Sequence, residues 1–551
     1  MTLSRRTSGA ALRAPPLPGL AHRSAATPGR VGTVDSGILM LARVHTAALA
    51  GIDALSVIVE VDVGLGLPQT TIVGLPDAAV QEARERIKAA IANAGFVFPP
   101  RRIVVNLAPG DLRKAGPSFD LPIALGVLAA SGQINPLALE RYLFVGELGL
   151  AGELRPVAGA MCLALGARQQ GLAAIVVPEA NGAEAAVVSD VAVHPLASLR
   201  EVARFLLDPD SYPPLRQDAA ALLTQGVEGG PDLIDVRGQT LARRALEVAA
   251  SGGHNLLLLG PPGSGKTMLA RRLAGILPAL NLEEALESTR IYSVAGLLAR
   301  ADSLVRQRPF RSPHQSVSVA ALVGGGPAPR PGEVSLAHNG VLFIDEAPEF
   351  QRPVLEALRQ PLEAGEVLIS RARQALTFPA RFALVLAANP CPCGFFGDPA
   401  VPCRCSPLQR QRYWARLSGP LLDRIDLQIR VERPRPEEIT RLTPGEPSAT
   451  VRARVEAARA RQQARFAPVV GVRCNAHMEP AHLQRFCLPD AAGQSLLEGA
   501  VRALNLSARS ADRILKVART LADLEGSERI GRGHIAEALQ FRTLERMQQV
   551  G

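Results

Sequence analysis

Aromatic side chains are scarce in this 551-residue chain, 4% of positions with Trp414 as the single tryptophan, which excludes a single-strand binder built on successive stacking platforms. Any contact with nucleic acid has to rest on charge. No apolar run approaches the roughly 18 residues that a membrane-spanning helix needs. Seven cysteines are too few for a disulfide scaffold at this length, and four of them crowd between positions 391 and 405, which suits a metal in a reducing compartment such as the cytoplasm. Acids are the minority charge: 51 Asp and Glu against 61 Lys and Arg leave +10, a balance that favours polyanionic partners without identifying one. Apolar residues make up 47%, enough for several cores, so the chain is neither disordered nor fibrous, and its length allows about three domains.

The first 39 residues differ from the rest. They carry Arg5, Arg6, Arg13, Arg23 and Arg30 against the single acid Asp35, with much Ala, Pro, Ser and Gly and little to pack. An Arg-rich, acid-poor leader fits a targeting or nucleic-acid-binding arm. A disordered extension upstream of a true start at Met40, where organised sequence begins abruptly, fits it better.

From Met40 to Leu207 short β-rich runs alternate with amphipathic helices. Val57–Val63 reads as a strand, Asp77 as the cap of a helix through Ile87 and Ile91 that stops at Gly95, and Ile103–Leu107 as another strand. This is an α/β domain. A Pro-containing polar stretch opens a linker over 208–231, a second α/β region covers 232–433, and 434–551 is helical by period.

Asn255-Leu-Leu-Leu-Leu is a buried-strand run followed by Gly260, Pro261, Pro262, Gly263, Ser264, Gly265, Lys266 and Thr267 and then by a helical segment. Strand, glycine-rich loop and helix in that order form a phosphate-binding loop. Lys266 is positioned for the β- and γ-phosphates of ATP and Thr267 for Mg²⁺. Downstream, Val341–Ile344 is an apolar strand ending in Asp345 and Glu346, an expensive place for two carboxylates unless they have work or partners. Beside the loop, Asp345 supports the metal shell and Glu346 polarises the attacking water. A third strand ends at Asn389, whose amide orients that water. Arg424, Arg509 and Arg513 are candidate arginines for the γ-phosphate, the latter two on a C-terminal helix.

These motifs, with Asn389-Pro-Cys-Pro-Cys-Gly, Gly419-Pro-Leu-Leu-Asp-Arg-Ile-Asp and Arg308-Pro-Phe-Arg-Ser-Pro-His, resemble the magnesium-chelatase-like AAA+ ATPases of the ComM/YifB type, over nearly everything from Met40 onward. The resemblance implies an AAA+ core, a C-terminal helical lid and a ring, a hexamer, with ATP between subunits. It makes Arg424 the arginine acting in trans and Arg509 the lid arginine, and it implies a DNA helicase driving branch migration in recombination and natural transformation. It also makes Gly365–Pro379 a hairpin facing a central channel, where Arg371 and Arg373 contact DNA phosphates; an ordinary solvated hairpin is the alternative. The run Arg452–Arg465, five arginines and one glutamate, is either a second DNA track or a solvated helix face.

Cys391, Cys393, Cys403 and Cys405 suit tetrahedral Zn²⁺, structural for the loop after Asn389; free thiols or a redox pair are the alternative. Lys114-Ala-Gly-Pro-Ser118-Phe-Asp, with the later Gly146-Glu-Leu-Gly segment, resembles the proteolytic domain of Lon. Met161 stands where that family has its basic Lys, and a thioether cannot deprotonate a hydroxyl, so the domain is expected to be Lon-like without the peptidase dyad. Against the DNA motor stand a chelatase-type or chaperone-type ATPase remodelling a protein partner, and an ATP-dependent protease.

Overall fold

The computed structural model describes residues 41–224, 230–298, 302–326, 329–371, 374–433, 445–469 and 471–542. The expected extension over residues 1–39, Met40 itself and Arg373 lie outside them. Among the described residues no helix is long and apolar enough to cross a membrane.

The amino-terminal α/β domain is built on a seven-stranded mixed sheet. Strands Ala42–Ala50 and Asp53–Gly64 form an antiparallel hairpin turning at Gly51, whose φ of +66° favours glycine. Arg102–Ala108 extends the hairpin antiparallel, and Gln69–Val73, Tyr142–Phe144, Ala174–Pro178 and Ala192–Leu196 join in parallel. The helix expected after Asp77 is there as Ala78–Asn93, with the Asp77 carboxylate accepting from Val80 N at 2.9 Å and the chain reversing at Gly95. Every residue of the helix Asp120–Ala130 is buried, because it lies flat on the hairpin: a Cβ on Gly126 would stand 2.5 Å from Val61 Cγ2. The polar stretch after Leu207 runs back along this domain, with Leu215 N donating to Val193 O at 2.8 Å.

The second α/β region has a five-stranded parallel sheet in the order Phe310–Arg311, Val341–Ile344, Ala383–Ala388, Leu256–Leu259, Leu427–Arg430. Leu256–Leu259 and Val341–Ile344 are buried at every position. Covered on both faces, such strands read as continuous apolar runs.

The carboxy-terminal helices, among them Ser448–Phe466, Ala508–Glu525 and Arg532–Gln540, share one core with the helix Thr240–Gly252 and the sheet. In the arginine run on Ser448–Phe466, Arg454, Arg459 and Arg465 are half-buried and Arg452 and Arg461 exposed, yet each bonds to the protein. Arg452 donates to Gly275 O at 3.0 Å, Arg459 to Ala250 O at 3.0 Å and Arg461 to Asp523 O at 2.8 Å. Arg454 spans Glu247 and Glu446, and Arg465 pairs with the fully buried Asp523. Carbonyls left over at helix ends are natural partners for cations.

The amino-terminal domain is clasped to the second region through the helix Leu282–Ala295. Arg290 donates to Ile52 O at 3.0 Å and Asp53 Oδ1 at 2.7 Å, Ser293 Oγ donates to the largely buried Glu184, and Gly159 N donates to Ser293 O at 3.0 Å. Ile52, Ile291, Leu336, Leu376 and Phe378 close a small apolar cluster. The Gly51 turn therefore rests on the strand Gln374–Pro379.

Candidate nucleotide site

The loop Gly260–Gly265 leaves the strand Leu256–Leu259 and enters the helix Lys266–Ile276. Its glycines are steric necessities. Gly263 and Gly265 have φ of +76° and +89°, and a Cβ on Gly260 would fall 2.2 Å from Val431 O. Gln239, itself left-handed at φ +47°, holds the loop from outside by donating to Ser264 O at 2.8 Å.

Lys266 is 8% exposed. Its ammonium donates to Gly260 O at 2.8 Å, Pro261 O at 3.0 Å and Asn389 Oδ1 at 3.1 Å. Burial lowers its pKa, and the nearby Asp345 and Glu346 carboxylates oppose that shift. Thr267 Oγ1 donates to Asp345 Oδ2 at 2.6 Å, and Glu346 N donates to Asp345 Oδ1 at 2.9 Å. Hydroxyl and carboxylate so placed can share a divalent cation. Glu346 adopts φ +50°, a conformation worth about 1–3 kcal/mol of strain in a residue with a Cβ; its side chain is exposed at the mouth of the site. Parallel register places all of this at one end of the sheet, since Leu259 pairs with Ala388 and Ile344 with Leu386, and open α/β sheets bind ligands at their strand carboxyl ends.

The cysteine loop begins two residues after Asn389. Cys391 Sγ lies 3.3 Å from Cys393 Sγ and 3.6 Å from Cys403 Sγ, and all four sulfurs fall within 4.8 Å of one another. Zn–S bonds of about 2.3 Å imply sulfur separations of about 3.8 Å, so the set fits tetrahedral Zn²⁺. Burial pushes the Cys391 thiol up to about 12, while N–H groups of Arg404 and Phe395 bring Cys393 down to about 6. The loop abuts the phosphate loop: a Cβ on Gly394 would stand 2.5 Å from Pro262 Cδ. Trp414 Nε1 anchors it by donating to Pro390 O at 3.1 Å.

The arginines are elsewhere. Asp426 N donates to Asn255 O at 3.1 Å, and Asn255 Nδ2 donates to Arg424 O at 2.9 Å, so Arg424 stands where Leu256–Leu259 begins, at the sheet end opposite the phosphate loop of its own chain. Arg509 joins it there, 3.9 Å from Asp423 Oδ2, as does Arg513, 3.8 Å from Asp426 Oδ1. Arg424 itself pairs with Glu363 and donates to Pro420 O. Asp426 is held by His254, which reaches on to Thr520 Oγ1 at 2.8 Å. Sequence reading did not single out Glu363, Gln239 or His254; only His254, a histidine directly before a buried strand, left any signal. The hairpin pairs Glu366–Arg371 with Gln374–Pro379 in the register Arg371 opposite Gln374. The side chain of Arg371, like Arg373, lies outside the described residues.

The model of magnesium chelatase subunit ChlI matches residues 232–439, a second ChlI model matches 59–181, and the ChlI carboxy-terminal model matches 445–542. Over 514 residues the chain is 46% identical to the YifB protein of Salmonella typhimurium, covering 92% of this chain and 98% of that one. It is 45% identical to the competence protein ComM of Haemophilus influenzae, also over 514 residues, covering 93% and 99%. The 38 kDa magnesium-chelatase subunit of Cereibacter sphaeroides is 27% identical over 169 residues, 28% of this chain and 51% of that protein. Phosphate loop, paired strand-end acids and full-length similarity agree, and the chain belongs to the magnesium-chelatase-like AAA+ ATPases of the ComM/YifB type.

Proposed function

We propose that this ATPase works as a ring, hexameric by the family resemblance, that moves DNA, and that its task is branch migration extending heteroduplex in recombination and natural transformation. The observation that carries the ring is the division of the site: Lys266, Thr267, Asp345, Glu346 and Asn389 gather at one end of the sheet, and Arg424 and Arg509 at the other. Only a neighbouring subunit can bring such an edge to the phosphates. Within one subunit the loop amides and Lys266 take the β- and γ-phosphates. Glu346 polarises the attacking water, Asn389 orients it, and the neighbour's Arg424 edge meets charge developing on the γ-phosphate. Thr267 and Asp345 would hold Mg²⁺, which would neutralise charge on the phosphate oxygens.

The DNA assignment is supported by the net charge of +10, by the hairpin ending at Arg371 and by the relative named a competence protein. Arg371 and Arg373 would contact phosphates without reading sequence. Zn²⁺ on Cys391, Cys393, Cys403 and Cys405 would be structural, and a cytoplasmic setting keeps those thiols reduced. The amino-terminal domain serves as a Lon-like module without peptidase activity, a reading supported by Met161, which is buried where a basic residue would be needed. The chelatase-subunit similarity favours one other reading, remodelling of a protein partner.

Hydrolysis measured with and without forked or four-way-junction DNA decides between them. Expected are strong stimulation that weakens as salt rises, and ATP-dependent junction movement lost in Glu346→Gln, where hydrolysis falls by roughly 10²–10⁴. Hydrolysis indifferent to every DNA structure would overturn the DNA motor and favour the protein-remodelling role.

A further inference from the structure

Arg424 does not stand ready at its edge. Its guanidinium is engaged by the Glu363 carboxylate and by Pro420 O, its side chain is only 16% exposed, and its Nε is buried with no hydrogen-bond partner among the described residues. Desolvation lowers its pKa, and the nearby Arg359, Arg513 and Arg509 add to that shift. Glu363 belongs to the short helix Arg359–Ala364, and the strand Glu366–Arg371 begins directly after Gly365, a left-handed turn at φ +70°. Backbone bonds tie the two together, with Gly365 N donating to Pro361 O at 2.9 Å and Ala380 N to Gly365 O at 2.9 Å.

A guanidinium clasped by a carboxylate presents little net charge to an approaching triphosphate, and the benefit of an arginine finger is that charge. We infer that Glu363 is a positioning residue that keeps Arg424 in a resting contact, released when a ligand on the paired strands Glu366–Arg371 and Gln374–Pro379 shifts the helix from which the first of them springs. The inference rests on the trans-acting reading of Arg424 proposed above. It adds a route by which polyanion binding at the hairpin raises hydrolysis in the adjoining subunit, with no change at the phosphate loop.

Glu363→Gln keeps the shape and removes the charge, and Glu363 is 61% exposed, so the variant folds as wild type. Steady-state hydrolysis is measured for wild type, Glu363→Gln, Arg424→Ala and the double variant, each with and without four-way-junction DNA. Expected for Glu363→Gln is a basal kcat raised about two- to five-fold, the population shift expected from losing one solvent-touched ion pair. KM for ATP stays unchanged and the DNA-stimulated rate stays near wild type, so the stimulation ratio shrinks. The rise must vanish when Arg424→Ala is added. A basal kcat that stays level or falls in Glu363→Gln would overturn the restraint, as would a rise that persists without Arg424. If Arg424→Ala alone hydrolyses at the wild-type rate, the trans-acting reading beneath the inference is what fails.

Discussion

Asp120 lies wholly out of solvent at the head of a buried helix, and its charge is met by two bonds from Arg86, at 3.0 and 3.1 Å, and one from Leu148 N at 3.3 Å. Burial nevertheless outweighs these partners and pushes its pKa from 3.8 to about 6. The folded chain therefore holds this proton more tightly than the unfolded one. The associated stability is fully present below 3.8 and is lost as pH rises through about 6. Removing Arg86 would leave the carboxylate uncompensated, which costs about 3–5 kcal/mol for a buried pair. Arg86→Ala is accordingly expected to lower the thermal midpoint sharply at pH 8 and much less at pH 5; equal losses at both would show that the charge is not the cause. At this scale the meeting of Lys266, Thr267, Asp345, Glu346 and Asn389 at one end of the sheet was legible, because each sits at a fixed offset from an apolar strand and parallel pairing makes those offsets spatial. Nothing in the sequence pointed to the contact between Glu363 and Arg424. Their contact joins two polar segments far apart in the chain, and no periodicity marks such a pair.

Among elements, the helix Ser448–Phe466 teaches the converse. Its composition is that of a solvated or polyanion-binding face, yet its cations close a seam between the carboxy-terminal helices and the core, and composition cannot say which way an arginine turns. Asp523 is the centre of that seam, accepting from Arg465 at 2.9 Å, Arg519 at 3.1 Å and Asn475 at 2.8 Å. Asp523→Ala strands two cations and should cost about 3–5 kcal/mol in chemical denaturation; a loss near zero would mean the seam is held by apolar packing alone. The cysteine loop yields a second prediction at this scale. Cys403→Ser should release bound zinc in metal analysis and weaken binding of a fluorescent ATP analogue, because the loop that packs on Pro262 loses its staple. Retained zinc with unchanged affinity would argue against metal at these sulfurs.

Across the whole molecule, the described residues build two α/β regions and a carboxy-terminal set of helices. The α/β character of both regions and the helical carboxy-terminal region were legible from strand runs and helix periods. How the amino-terminal domain attaches was not, since Arg290, Ser293 and Glu184 look unremarkable on paper. A chain beginning at Met40 is expected to match the full chain in thermal midpoint and in ATP hydrolysis, and a large loss of either would give the first segment a structural role.

The cluster of Ile52, Ile291, Leu336, Leu376 and Phe378 has a mechanical meaning. In the proposed DNA motor the hairpin is a lever, and a lever needs a fulcrum that does not yield. Here the turn at Gly51 stands behind the return strand of the hairpin, and Arg290 bolts that turn to the ATPase helix. An isolated core cut free of its first domain would keep its nucleotide chemistry and lose its footing, an engine turning over with the clutch disengaged.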